Sequence, residues 1–293
     1  MQRKTHAIDA SPFFRLTSPH KLAELLAISL DDLWRLTAAG DTLYHEFDVA
    51  KKNGDKRRVE NPRADLKKVQ SRISRLLGRI TPKDYLFCPV KRRCYVSNAA
   101  QHRGNRVVRC LDVKKYFPST SSRRVSWFFR KMMQCAPDVA WVLTRLATYQ
   151  GHLPTGSPLS PIMAYFAHYD VWEAVSAIAR QHGYTLTVYV DDVTLSGTNV
   201  RNAVLWEIKQ AIHRSGLRYH KEKTFIDRPA EITGVIVSGE QLLAPKRQHL
   251  KLRDTKVDLA KPENIGSKSI AGRLQGLSGQ IGQIARVNIG RGR

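Results

Sequence analysis

The chain has 293 residues, with 49 Lys and Arg against 25 Asp and Glu and a formal net charge of +24. A hydrophobic share of 42% supplies a sizeable core and excludes a disordered basic tail. The apolar runs are too short to span a bilayer, and the first residues lack the apolar stretch of a secretory signal. Four unevenly spaced cysteines (Cys88, Cys94, Cys110, Cys135) make no disulfide framework, so a reducing, cytoplasmic setting and no membrane partner are expected.

In chain order, Ser18-Pro19 opens a helical pattern with Leu22, Leu25 and Leu26, and Ser29 caps a second one carrying Leu30, Leu33 and Leu36. Residues 44–49 alternate like a strand, Asn53-Gly54 signals a two-residue hairpin turn, and 56–59 form the return arm. A helix with Leu66, Val69, Ile73, Leu76 and Leu77 on one face then runs to Gly78. Residues 106–111 read as a strand ending at Asp112. Helical stretches at 121–134 and 138–150 lead to a Gly- and Pro-rich loop at 151–161 and one long helical pattern to about 181. Residues 186–190 and 193–195 are two apolar arms around Asp191-Asp192. A helix at 200–214 and strands at 217–226 and 231–237 complete an α+β layout. Beyond Pro245 the chain is basic and helical. Its stripe of Ile270, Leu274, Leu277, Ile281 and Ile284 is weakened by Gly272, Gly276, Gly279 and Gly282, so it needs a packing or nucleic-acid partner.

The charge is unevenly spread. Residues 1–110 carry 23 basic and 11 acidic residues, 111–240 carry 15 and 11, and 241–293 carry 11 and 3. Basic flanks around a balanced centre fit a channel for a polyanion, whose phosphates release counterions to Lys and Arg. A solvated lysine-rich surface gives the same profile. Within the centre, Asp112 ends an apolar strand and Asp191 and Asp192 tip an apolar hairpin. If these strands are neighbours, the acids converge, and like charges held together ask for a cation. Hard oxygen donors of this kind suit Mg²⁺, and two such ions would serve phosphoryl chemistry. Taken singly, Asp-Asp reads equally well as a polar turn.

Three motifs stand in order. Leu111-Asp112-Val113-Lys114-Lys115-Tyr116-Phe117-Pro118-Ser119 resembles the first palm motif of reverse transcriptases. The run from Leu153-Pro154-Thr155-Gly156 to Pro161 resembles their template-and-nucleotide loop, and Tyr189-Val190-Asp191-Asp192 their Tyr-x-Asp-Asp hairpin. Lys51-Lys52-Asn53-Gly54 with Arg57 resembles the basic fingers hairpin, and Lys223-Thr224 the later palm lysine motif. Asn98-Ala99-Ala100-Gln101-His102 is similar to the Asn-Ala-x-x-His marker of bacterial retron enzymes, and Ile232-Thr233-Gly234 to their Val-Thr-Gly marker, with Ile for Val.

The resemblance implies a right-hand polymerase: N-terminal region and fingers at 1–110, palm at 111–240 with a fingers insertion at about 120–150, and a small helical thumb at 241–293. Asp112, Asp191 and Asp192 become the catalytic acids. Asp112 and Asp191 bridge two Mg²⁺ ions, Asp192 ligates or shapes the local field, and the Val113 carbonyl fills a metal position. Phe117 becomes the aromatic gate against a ribose 2′-hydroxyl. Arg57, with Lys51 or Lys52, clamps the triphosphate. Thr155 lies in the nucleotide loop, Gly156 permits close backbone approach to a nucleotide or template base, and Lys223 faces the departing pyrophosphate. Tyr189 supports the primer terminus, Asn98 and His102 brace the fold or contact RNA, and Thr233 contacts the structured RNA or the priming end. A zinc reading of His102 with Cys88 and Cys94 fits no common spacing.

The implied function is RNA-directed DNA synthesis from deoxynucleoside triphosphates on a structured non-coding RNA. Retron enzymes prime from a guanosine 2′-hydroxyl and give branched RNA–DNA linked to anti-phage defence, leaving any effector to a separate protein. A group II intron-like or diversity-generating reverse transcriptase is the alternative, as is a non-catalytic RNA-binding protein on a polymerase fold.

Overall fold

A computed structural model describes residues 5–50, 54–261 and 267–289. Helices α1 (Pro19–Leu26) and α2 (Leu30–Ala39) each begin at a serine hydroxyl that accepts a first-turn backbone N–H, Ser18 from Lys21 and Ser29 from Asp32. Strands β1 (Tyr44–Ala50) and β2 (Lys56–Pro62) pair from Tyr44↔Pro62 to Ala50↔Lys56. The two-residue turn expected at Asn53-Gly54 falls partly outside the described residues. Asn53, Lys51 and Lys52 lie outside the described residues. Helix α3 (Ala64–Leu77) buries the expected stripe of Leu66, Val69, Ile73, Leu76 and Leu77.

Next come β3 (Leu86–Cys88), α4 (Tyr95–Ala100) and β4 (Val107–Val113). The helices α5 (Tyr116–Ser119), α6 (Ser122–Trp127), α7 (Pro137–Ala147), α8 (Ser160–Ala167) and α9 (Tyr169–Gln181) follow. The single helix expected up to 181 is broken at His168, which leaves helical geometry and is fully buried. Helix α8 is apolar nearly all round whereas α9 has one buried face, so a straight continuation would expose α8. Then come β5 (Thr185–Tyr189), β6 (Asp192–Gly197), α10 (Asn202–Arg214) and β7 (Tyr219–Ile226). These strands form one sheet in the order β3-β5-β6-β4-β7, with β3 parallel to β5 and the other pairs antiparallel.

A second sheet of β8 (Ala230–Ile232), β9 (Val235–Ser238) and β10 (Gln241–Leu243) precedes α11 (Lys246–Leu259) and α12 (Lys268–Ile289). Strand side chains alternate between faces, so the large sheet has two different coverings. Leu111, Val113, Val188, Val193 and Leu195 join the helical core on one side. Val108 on the other joins Val96 and Ala99 of α4, Ile232 and Val235 of the small sheet, and Ile284 of α12.

The expected boundary at residue 110 falls within β4 and leaves β3 outside the sheet that β3 completes. The expected boundary at 241 falls at the start of β10, which pairs with β9. Along α12, Ile284 is buried while Ile270, Leu274, Leu277 and Ile281 stay half-exposed beside α11, so only the end of the stripe is fully buried. Among the described residues no helix is long and apolar enough to cross a membrane.

Candidate active site

Tyr189 pairs with Asp192, so the β5–β6 turn consists of Val190 and Asp191, and Asp192 begins the returning strand. Val190 has φ +57°, a left-handed conformation that β-branched residues resist. On the adjacent strand Asp112 lies opposite Asp192, and the Val113 N–H donates to the Asp191 carbonyl at 2.9 Å. The turn is thereby fastened to the end of β4, and three acids from two strands occupy one sheet edge.

Their electrostatics show how much negative charge is gathered there. Burial raises the Asp192 carboxyl to about 6, and repulsion from Asp191 and Asp112 adds to it, while Lys223 opposes the rise. Asp191 is also raised, chiefly by burial and then by Asp112, against the opposing charges of Arg57 and His220. Arg57 sits exposed on β2 opposite Val49, so the positive charge of the β1–β2 hairpin reaches the acid turn. Among the described residues no three His, Cys, Asp or Glu side chains close a ready-made metal cage. The acids form an open edge of hard oxygen donors only partly balanced by Arg57, His220 and Lys223, which fits Mg²⁺, an ion that keeps waters and substrate oxygens in its shell.

Beside this edge lies a cavity of about 340 Å³ bordered by Asp112, Asp192, Tyr189, Lys223, Glu231 and Thr233. Tyr189 is half-buried in its wall, and burial, with Cys88 beside it, pushes the phenol up to about 12. Lys223 stands on β7 opposite Cys110. Phe117 follows β4 in α5, half-buried, its ring centre 6.0 Å from the ring of Tyr116. Tyr116 is buried and accepts a hydrogen bond from Trp172 Nε1 at 3.2 Å.

Four of the expected site residues make close contacts within the protein. Thr155 and Gly156 face β2, where a nucleotide contact was expected. Thr155 Oγ1 donates to the Arg58 carbonyl at 3.0 Å and accepts the Glu60 N–H at 3.2 Å. A Cβ on Gly156 would stand 2.7 Å from the Glu60 carbonyl oxygen and 2.9 Å from Asn61 Cα, so the close approach is to strand backbone. His102 is fully buried, with Nδ1 2.7 Å from Ser196 Oγ and Nε2 2.8 Å from Thr187 Oγ1. Burial lowers it to about 3, so a neutral ring braces β5 and β6. Asn98 is 1% exposed and donates from Nδ2 to Thr233 Oγ1 at 3.3 Å.

His220 and Glu231 are the residues that sequence reasoning passed over. His220 Nδ1 lies 3.3 Å from Asp112 Oδ1. It is the extra residue of a β-bulge: Asp112 pairs with Lys221 and Val113 with Tyr219, leaving His220 between. An inserted residue breaks the alternation that would otherwise flag it. Glu231, in the short strand β8, is gripped by two guanidinium nitrogens of Arg247 from α11.

The family described as reverse transcriptase (RNA-dependent DNA polymerase) matches residues 49–237. The chain is 26% identical over 242 residues to the Retron Ec86 reverse transcriptase of Escherichia coli, covering 80% of this chain and 75% of that protein. Against the Retron Se72 reverse transcriptase of Salmonella heidelberg (strain 579083-10) it is 26% identical over 223 residues, 72% of this chain and 58% of the relative. Against the Retron Mx162 reverse transcriptase of Myxococcus xanthus it is 27% identical over 273 residues, 80% of this chain and 56% of the relative. The chain thus spans little more than half the length of the latter two.

Proposed function

The chain belongs to the reverse transcriptase (RNA-dependent DNA polymerase) family, with retron enzymes as its curated relatives, and we propose that it copies part of a structured non-coding RNA into DNA. The observation that carries this reading is the acid edge: Asp112 in register with Asp192, Asp191 at the adjoining turn, and two carboxyls raised by burial and mutual repulsion.

In this reading the large sheet and its helices form the palm. The β1–β2 hairpin, the N-terminal helices and residues 120–150 form the fingers, and α11 with α12 the thumb. Asp112 and Asp191 would hold Mg²⁺, with Asp192 adding to the negative field and the Val113 carbonyl available as a further oxygen donor. When bound, a pair of magnesium ions activates the attacking hydroxyl and stabilises the leaving pyrophosphate. The protein supplies position and charge. Arg57, with Lys51 and Lys52, holds the incoming triphosphate against the acid turn. The ring of Phe117, backed by Tyr116, excludes a 2′-hydroxyl from the sugar site. Lys223 balances the acids beside the bound strands. The retron likeness extends the proposal to priming from a guanosine 2′-hydroxyl of the RNA, a branched RNA–DNA product, and anti-phage defence with a separate effector protein.

The test is primer extension on an RNA template with Mg²⁺ and deoxynucleotides, comparing the chain with its Asp191→Asn/Asp192→Asn variant. Extension by the unaltered chain alone, with salt-sensitive RNA binding retained by both, supports the reading. Equal activity in the two overturns it.

A further inference from the structure

Thr233 holds a conformation its side chain resists. Ile232 pairs with Val235, so Thr233 and Gly234 are the two-residue turn between β8 and β9, with φ values of +46° and +86°. Such a turn favours Asn, Asp or Gly at its first position, because a β-branched residue with positive φ crowds its own backbone. Two hydrogen bonds keep it there. Thr233 Oγ1 donates to the Tyr95 carbonyl at 3.2 Å and accepts from Asn98 Nδ2 at 3.3 Å. Asn98 is buried on α4, and its Oδ1 has no partner among the described residues. Its amide is thus oriented by the turn, and the turn by its amide. The other side of Thr233 and Gly234 borders the cavity that Asp112, Asp192 and Lys223 also border.

In the polymerase reading that cavity lies where the extended strand would end, beside the acid edge. An attacking hydroxyl must reach the acid edge, the phosphate behind it needs a cation such as Lys223, and a volume of about 340 Å³ takes one nucleotide. We infer that Asn98 is a positioning residue for the strand being extended: through Thr233 it holds the Thr233–Gly234 turn as the wall against which that strand's terminal nucleotide rests. This rests on the polymerase reading above and adds a residue that touches neither substrate.

The experiment is steady-state extension of a DNA primer on an RNA template by the whole chain, with KM measured separately for primer–template and nucleotide. Asn98→Leu and Thr233→Val each raise the primer–template KM about tenfold and leave the nucleotide KM within about twofold. Thr233→Ser, which keeps the hydroxyl and sheds the branch, stays near the unaltered chain. Asn98→Leu/Thr233→Gly recovers most of the loss, because glycine takes the positive φ without being held.

A nucleotide KM that rises in step overturns the inference. So does an unimpaired Asn98→Leu beside an impaired Thr233→Val, or a double variant no better than Asn98→Leu. If circular dichroism shows Asn98→Leu unfolded, the Thr233→Val and Thr233→Ser pair decides, and equal KM values in these two overturn it. Failure of the unaltered chain to extend any primer overturns the polymerase reading and this inference with it, whereas normal extension with indifferent variants removes Asn98 alone.

Discussion

The two faces of the large sheet are built from the same strands and share almost nothing else. On one, Leu111, Val113, Val188, Val193 and Leu195 are at most 1% exposed and meet helices. On the other, from the acid edge inward, come Asp112 and Asp192, then Cys110, Thr194 and Lys223, and finally Val108 and Ser196 under α4 and the small sheet. Alternate residues of β4 and β6 therefore serve opposite ends. Apolar burial on one face secures strands whose other face gathers mutually repelling carboxylates.

The sharpest way to separate the faces is Asp112→Asn. It should cut nucleotide incorporation at least about a thousandfold while the thermal midpoint stays at or above that of the unaltered chain. A variant that loses both together would show that the polar face also carries the fold. On the opposite face Leu195→Ala should cost about 3 kcal/mol in urea unfolding, from lost burial and the cavity left behind.

The third effect is a pH dependence. Asp192 titrates near 6 in the folded chain against 3.8 when unfolded, so between these values the folded state holds the proton more tightly. Its favourable contribution is present below about pH 4 and is lost as pH rises through 6. In chelator, the midpoint of Asp192→Asn should accordingly gain on that of the unaltered chain from pH 4 to pH 7.5, and a flat difference would count against the gathered charge. The smallest effect lies at the cover of the polar face. A Cβ on Gly272 meets nothing within 4 Å, so Gly272→Ala should stabilise α12 by about 0.5–1 kcal/mol. The same change at Gly156 should be destabilising, because strand backbone occupies that space.

The sequence makes the acid edge legible because it is local: an aspartate at a strand end and two at a hairpin tip need only adjacent strands to meet. The stripe of α3 and the serine caps of α1 and α2 are legible for the same reason. What escapes is contact between distant segments. Nothing near Thr155 or Gly156 announces that β2 lies against them, and a marker histidine looks alike whether it faces RNA or, as His102 does, two hydroxyls inside the sheet. The bulge at His220 hides because one inserted residue reverses the parity from which facing is inferred.

The helical pair α11–α12 is held chiefly at one end. Arg247 ties the start of α11 to Glu231, and Asn288, near the finish of α12, exchanges hydrogen bonds with the Leu242 backbone and accepts one from Arg103. Asp258 and Arg273 attract each other farther along, as expected when the second helix runs back beside the first. In mechanical terms the pair is a cantilever: at 1.5 Å per residue, a point fourteen residues from the clamp stands roughly 20 Å out. A rotation of about 5° at the clamp would carry it roughly 1.7 Å by that geometry. Stiffness of this arm is therefore set by contacts at its root, the buried Ile284 together with Arg247 and Asn288, and weakening these loosens its far end most.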